Sequence, residues 1–137
     1  MKLEPNMYVR TKDGNIDKIL FVEYAEEKRQ QYPNHPSKKH WRDKILLLKA
    51  GYWRTTQNII KASHNIIDLI EVGDYVNGQR VDTIQNGQLL STNSYDFRLE
   101  NIVLCNEDIK SIVTKEQFES MKYKIDRQLK RMEEENK

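Results

Sequence analysis

Short apolar runs separated by glycine-containing turns make up most of the chain. Asp13-Gly14 lies between the runs 7–12 and 16–24, and Asn77-Gly78 and Asn86-Gly87 separate later runs in the same way. Asp-Gly and Asn-Gly between β-prone segments indicate tight hairpin turns, because glycine adopts the positive φ that these turns require. The pattern therefore predicts short antiparallel strands in a small meander or barrel.

The β-rich part contains a similar pattern twice. Tyr8-Val9 followed by an Asp-Gly turn resembles Tyr75-Val76 followed by an Asn-Gly turn, at an offset of 67 residues. Asn58-Ile59-Ile60 resembles Asn101-Ile102-Val103 at an offset of 43. The difference between the two offsets predicts an insert in the first copy, which falls near residues 25–44.

The hydrophobic period changes after Val113. Thr114, followed three residues later by Gln117, fits a capping box at the start of a helix. Five apolar residues then recur at helical spacing, which places them on one stripe. They are Phe118, Met121, Ile125, Leu129 and Met132. Two interpretations remain open: packing on the chain's own β-unit, or a coiled-coil-like seam in a homodimer.

These patterns predict an α+β protein with two small β-rich repeats, SH3-like or barrel-like, and a C-terminal amphipathic helix. The expected divisions are a first β-unit over 1–72, a second over 73–113 and the helix over 114–137. With 137 residues, the chain fits one domain or two very small subdomains. Its apolar runs are far shorter than the roughly 20 residues of a membrane span, so we expect a cytoplasmic protein with no membrane partner.

The single cysteine and the small net charge give two further expectations. The single cysteine, Cys105, follows an apolar run and is predicted to be a buried thiol in a strand. A net charge of +2 produces no strong overall attraction to nucleic acid, so any such binding has to be local.

The insert concentrates basic and aromatic residues. Six cationic side chains fall within residues 28–44, opposed there only by Asp43. Lysine and arginine neutralise phosphates and flat rings stack on bases, while tryptophan and arginine also anchor protein interfaces. A plain solvated loop is the alternative. The predicted partner-binding residues are Lys28, Arg29, Tyr32, Lys38, Lys39, His40, Trp41 and Arg42.

Metal and catalytic motifs are absent from the sequence. It has no cysteine pair, no HExxH pattern, no glycine-rich phosphate loop and no Gly-x-Ser-x-Gly elbow. Four aspartates lie in or beside turns, where such residues usually cap backbone amides. They are Asp13, Asp17, Asp74 and Asp82. We expect no enzyme, no cofactor and no metal site.

The segments NIIDLIEVGDYVNG (65–78) and IKSIVTKEQFE (109–119) resemble small accessory proteins carried by phages and prophages of Gram-positive bacteria. The resemblance covers about residues 58–125. Most such proteins have no assigned function, and others act against host defences, including inhibitors of CRISPR nucleases. The resemblance brings no catalytic residues with it.

That resemblance implies a non-enzymatic protein in the cytoplasm of an infected or lysogenic bacterium. We expect it to inhibit a host defence complex, as an anti-CRISPR protein does, by binding a nucleic-acid-handling effector through the insert. The alternative is a regulatory module that binds nucleic acid directly. A structural component of the virion is a third hypothesis.

Overall fold

The computed structural model describes residues 2–92, 95–103 and 105–135. It is an α+β structure with antiparallel sheets and a C-terminal helix, which confirms the predicted class. The chain divides into two compact units, Met1–Leu69 (unit 1) and Ile70–Lys137 (unit 2). The terminal helix, expected as a separate segment, is part of unit 2.

Unit 1 contains a five-stranded sheet in the order β4-β3-β2-β1-β5. The strands are β1 (Tyr8–Thr11), β2 (Ile16–Glu23), β3 (Lys44–Leu47), β4 (Trp53–Thr55) and β5 (Ile59–Ser63). Helix α1 (Ala25–Gln31) follows β2, and a 3-10 turn (Thr56–Asn58) joins β4 to β5. Among the described residues, β4 and β5 are the two edges of an open sheet, so closure into a barrel is not confirmed.

The core of unit 1 lies on one face of this sheet. The predicted Asp13-Gly14 turn is present between β1 and β2, with Gly14 at a φ of +87°. In β3, Ile45 and Leu47 are buried while the intervening Leu46 points outward, as the period of two requires. The clustered core side chains are Leu3, Met7, Val9, Ile19, Ile45 and Leu47.

A bulge in β2 changes which face its side chains occupy. Ile19 pairs with Leu47, but Phe21 pairs with Leu46, so one extra residue lies between the two pairs. Because neighbouring side chains alternate between faces, this insertion directs Phe21 outward although Ile19 points into the core. Ile19 is 0% exposed and Phe21 is 60% exposed.

Unit 2 contains two three-stranded sheets, in the orders β11-β6-β7 and β10-β9-β8. The elements are β6 (Tyr75–Val76), β7 (Gln79–Arg80), β8 (Thr83–Gln85), β9 (Gln88–Thr92), β10 (Leu99–Val103), β11 (Ile112–Val113) and α2 (Lys115–Glu135). Both predicted Asn-Gly turns are confirmed. Asn77 and Gly78 join β6 to β7, Asn86 and Gly87 join β8 to β9, and all four residues have positive φ.

The two units have the same strand order if β7 and β8 are counted as one interrupted strand. A 3-10 turn precedes the last strand of each sheet system, at Thr56–Asn58 and Asn106–Asp108. The first predicted repeat block agrees with this order, because Tyr8-Val9 lies in β1 and Tyr75-Val76 lies in β6.

The second predicted repeat block is out of register. Asn58 ends the 3-10 turn after β4, whereas Asn101 lies inside β10. An asparagine followed by aliphatic residues is compatible with both positions, so the triplet does not identify equivalent elements.

The prediction for Cys105 is wrong, because this residue is exposed. β10 ends at Val103 and the chain turns at Asn106–Asp108, so Cys105 lies beyond the strand. Its Sγ is 3.4 Å from Asp108 Oδ2.

Across the described ranges, no helix is long and apolar enough to cross a membrane.

Candidate interaction surfaces

The insert between β2 and β3 is folded against itself. The N–H of Ala25, where α1 begins, donates to Asp43 Oδ1 at 2.8 Å, which joins the two ends of the insert. Arg29 donates from Nε to the Lys38 carbonyl at 3.0 Å and from Nη2 to the Trp41 carbonyl at 2.8 Å. One guanidinium therefore fixes the returning chain to α1 through two carbonyl groups.

Trp41 contacts a cation and a second ring. The Lys28 ammonium lies 4.5 Å from the centroid of the Trp41 ring, and the His35 ring centroid lies 4.9 Å away. Lys28 also forms an ion pair with Glu23 at 3.2 Å. These contacts leave Trp41 half-buried and its orientation defined.

The structure separates the predicted partner-binding residues into two groups. Arg29 and Lys38 bond within the insert, where Lys38 Nζ donates to the Pro33 carbonyl at 2.6 Å. Lys28 pairs with Glu23 of β2, and Trp41 contacts the Lys28 ammonium and the His35 ring. The other four side chains are exposed and form no hydrogen bond or ion pair with the described residues. They are Tyr32, Lys39, His40 and Arg42.

Sequence analysis did not identify an apolar row beside the insert. Phe21, Leu46 and Trp53 pair across β2, β3 and β4 and lie on the outer face of the sheet. Phe21 is 60% exposed and Trp53 is 45% exposed. The bulge hides this row in the sequence, because strict alternation would place Phe21 on the same face as Ile19.

The basic insert meets β4, the strand that carries Trp53. Trp41, Arg42 and Thr55 line one shallow cleft of about 270 Å³. Thr55 lies two residues after Trp53 in β4, so both side chains are on the same face of the sheet. Unit 1 therefore presents the exposed ring of Trp53 two residues along β4 from a cleft that Arg42 lines.

Three of the four turn aspartates accept backbone N–H groups as predicted, whereas Asp13 accepts hydrogen bonds from the side chains of Thr11 and Asn15. Asp17, only 7% exposed, accepts the backbone N–H groups of Lys49 and Ala50 at 2.9 and 3.0 Å. The N–H of Thr92 donates to Asp82 Oδ2 at 2.8 Å and lowers the pKa of that carboxyl group. Asp13 and Asp74 also accept hydrogen bonds.

Within the described part of the chain, no three His, Cys, Asp or Glu side chains are grouped to hold a metal ion.

Helix α2 carries the predicted apolar stripe on its surface. Its capping box is confirmed, since Gln117 N–H donates to Thr114 Oγ1 at 3.3 Å and Thr114 N–H donates to Gln117 Oε1 at 3.1 Å. Phe118 stacks on Tyr75 with ring centroids 5.1 Å apart. The rest of the stripe is between 50% and 58% exposed, so about half of the surface of each of these side chains faces solvent. Its residues are Met121, Ile125, Leu129 and Met132.

Comparison with protein-family models, curated proteins and solved structures found no match to this chain. The two surfaces are therefore interpreted from their own residues and chemistry.

Proposed function

We propose that this chain is a non-enzymatic, phage-encoded protein that binds and inhibits a host defence complex, in the manner of an anti-CRISPR protein. Unit 1 contacts a nucleic-acid-handling effector in the bacterial cytoplasm. The observation that supports binding is the exposed row of Phe21 and Trp53 near Arg42, whose side chain has no polar partner among the described residues. The choice of a defence complex rests on the resemblance of residues 58–125 to phage accessory proteins.

Tryptophan, tyrosine and arginine are the residues that most often dominate protein interfaces. Adjoining exposed apolar side chains also mark interaction sites on soluble proteins. The internal bonds of Arg29 order the insert before any partner arrives, which lowers the entropy lost on binding. The internal bonds of the insert do not serve the core, because α1 contributes only Ala25 to the buried residues. They therefore favour a binding role for the insert over that of a plain solvated loop.

We further propose that both units are open variants of the SH3-like fold. The support is the strand order β5-β1-β2-β3-β4 in unit 1, its counterpart in unit 2, and the 3-10 turn before each last strand. SH3-like frames carry many unrelated functions, so this assignment describes the scaffold and not the partner.

The test starts with tagged protein used to capture partners from a bacterial lysate, with and without nuclease. The captured effector is then purified and its nuclease activity is measured with added wild-type protein. A double variant, Trp53→Ala with Arg42→Ala, should lose both capture and inhibition. The control variant, Lys12→Ala with Lys49→Ala, removes two exposed cations from other parts of unit 1 and should behave as wild type. Full inhibition by the Trp53 and Arg42 variant would contradict the proposal.

The second candidate is a regulatory module that binds nucleic acid directly. The exposed Lys39, His40 and Arg42 beside aromatic rings favour it. It predicts capture that nuclease abolishes, and an affinity that falls steeply with salt because phosphate contacts release counterions. Removing Lys39 and Arg42 should then lower the slope of log K against log salt by about 2. A complex that survives nuclease and responds weakly to salt excludes this candidate.

A further inference from the structure

The first turns of helix α2 are anchored to the strands and turns of unit 2. The N–H of Lys115 donates to Asp74 Oδ1 at 2.9 Å, and Lys115 Nζ forms an ion pair with Glu71 at 2.8 Å. Phe118 then stacks on Tyr75. Helices in proteins gain most of their stability from packing an apolar face, and the face of α2 after Phe118 stays exposed to its end.

The exposed stripe is symmetric about Ile125. Met121 and Leu129 lie four residues before and after it, and Phe118 and Met132 lie seven residues before and after it. An antiparallel copy of the same helix therefore places Phe118 opposite Met132, Met121 opposite Leu129 and Ile125 opposite itself. We propose that two copies of this chain form a dimer through α2 in antiparallel orientation, with Ile125 at the twofold axis.

The spacing of the stripe also defines the shape of this seam. Phe118 and Leu129 are separated by 11 residues, as are Met121 and Met132. An 11-residue repeat corresponds to 3.67 residues per turn, which is close to the 3.6 of an undistorted helix. The two helices therefore pack with a slight right-handed supercoil, and not with the left-handed supercoil that a seven-residue repeat imposes.

Charges beside the stripe are complementary in this orientation. One flank of α2 carries Glu119, Lys122, Asp126 and Lys130. In an antiparallel pair this flank meets its own copy. At 1.5 Å rise per residue, Lys122 lies within about 3 Å along the axis of the partner's Asp126, and Glu119 within about 2 Å of the partner's Lys130. Twofold symmetry forms each of these ion pairs twice.

Like charges approach at the twofold axis on both flanks, since Asp126 comes near its own symmetry mate on the first flank and Lys124 does so on the opposite flank. Lys124 lies next to Ile125, so its ammonium group comes near its own symmetry mate, with Gln128 beside it. Like charges that approach each other across a dimer seam weaken association. The substitution Lys124→Gln should therefore lower the dissociation constant of the antiparallel dimer.

Phe118 favours the antiparallel over the parallel arrangement. Tyr75 of the same chain already covers one side of the Phe118 ring. A parallel pair has to bring two such anchored ends together, with both copies of unit 2 side by side. In the antiparallel pair each Phe118 meets the flexible thioether of Met132, which fits irregular gaps next to aromatic rings. The two anchored ends then lie roughly 30 Å apart along the helix axis.

The first experiment measures the mass of the full chain by sedimentation equilibrium over a range of concentrations. Wild-type protein should dimerise, and Ile125→Asp should be monomeric with an unchanged circular dichroism spectrum in the β region. Ser120→Asp adds the same charge on the opposite face of the helix and should still dimerise. A wild-type monomer at every concentration, or an Ile125→Asp protein that still dimerises, would overturn the proposal.

The second experiment determines orientation in a Cys105→Ser background. Chains with Met121→Cys are mixed with chains that carry Leu129→Cys and are then oxidised. The antiparallel dimer predicts disulfides between the two different chains, because these positions face each other across the seam. Disulfides that instead join two Met121→Cys chains, or two Leu129→Cys chains, would show a parallel dimer and would overturn the orientation.

Discussion

Ile19 and Phe21 lie two residues apart in the same strand, yet Ile19 is fully buried and Phe21 is 60% exposed. The shift in register between their partners, Leu47 and Leu46, is the cause. A bulge at this position redirects one large aromatic side chain from the core to the outer face of the sheet. That face is the one that carries Trp53, so the bulge creates the apolar row on which the proposed function depends.

The different environments of Ile19 and Phe21 lead to opposite expectations for truncation. Ile19→Ala should lower the free energy of unfolding by about 2–5 kcal/mol, because it removes buried atoms and leaves a cavity. Phe21→Ala should lower it by less than about 0.5 kcal/mol, as surface substitutions usually do. Urea unfolding followed by tryptophan fluorescence measures this, since Trp41 and Trp53 both belong to unit 1. Equal losses for the two variants would show that Phe21 is a core residue.

Arg29 should control the order of the insert without controlling the stability of unit 1. Arg29→Lys keeps the charge and the trypsin site but loses the planar fork that reaches two carbonyl groups. We expect faster tryptic cleavage after Lys38 and Lys39, with little change in the urea midpoint. Arg42→Lys is the matched control, because the Arg42 side chain has no polar partner among the described residues, and it should be cleaved like wild type.

Local signals predicted the turns and the helix start because each depends on a few neighbouring residues. Asn77-Gly78 requires positive φ at two consecutive positions, and Thr114 with Gln117 forms a complete capping box. The exposure of Cys105 depends on where β10 ends. That position is set by pairing with β9, which no local pattern records.

The candidate surface was predictable only in part, because it too depends on contacts between residues that are distant in the sequence. The density of charge in the insert indicated Lys39 and Arg42, but Arg29 looks the same in the sequence and proves to be a structural clamp. Distinguishing them requires the tertiary positions of the carbonyl groups of Lys38 and Trp41. Phe21 was missed because a bulge reverses the alternation on which strand interpretation relies.

The hydrogen bond from Thr92 to Asp82 should make unit 2 sensitive to acid. This bond lowers the pKa of the Asp82 carboxyl below its ordinary value of about 3.9. A lowered pKa in the folded state means that the carboxylate stabilises the fold above the unfolded pKa, and that this contribution is lost as the pH falls through the folded pKa. An NMR titration of the Asp82 carboxyl should therefore show a midpoint below that of an unfolded peptide.

Asp82→Asn provides the matching stability measurement. The difference in unfolding free energy between wild type and this variant should shrink as the pH falls through the acid range, because protonated aspartate has lost its charge. A difference that stays constant with pH would mean that the Thr92 bond does not depend on the ionised carboxylate.

Asn77 and Asn86 occupy the same position in two similar turns, but only Asn77 ties its turn to another segment. Asn77 Oδ1 accepts the N–H groups of Lys110 and Ser111 at 2.7 and 3.1 Å, and Nδ2 donates to the Asp108 carbonyl at 2.8 Å. The Asn86 side chain makes no such bond to the described residues. Glycine tolerates the positive φ at both positions, and the entropy that it adds to the unfolded chain is common to both variants, so their difference reports the side-chain interactions.

Asn77→Gly should therefore destabilise unit 2 by about 0.5–1.5 kcal/mol more than Asn86→Gly does, because the exposed hydrogen bonds of Asn77 are exchanged for bonds to water. Amide hydrogen exchange measures the effect locally. The amides of Lys110 and Ser111 should exchange faster in Asn77→Gly and at the wild-type rate in Asn86→Gly. Unchanged exchange in both variants would show that the three hydrogen bonds of Asn77 do not hold the segment before β11 against the β6–β7 turn.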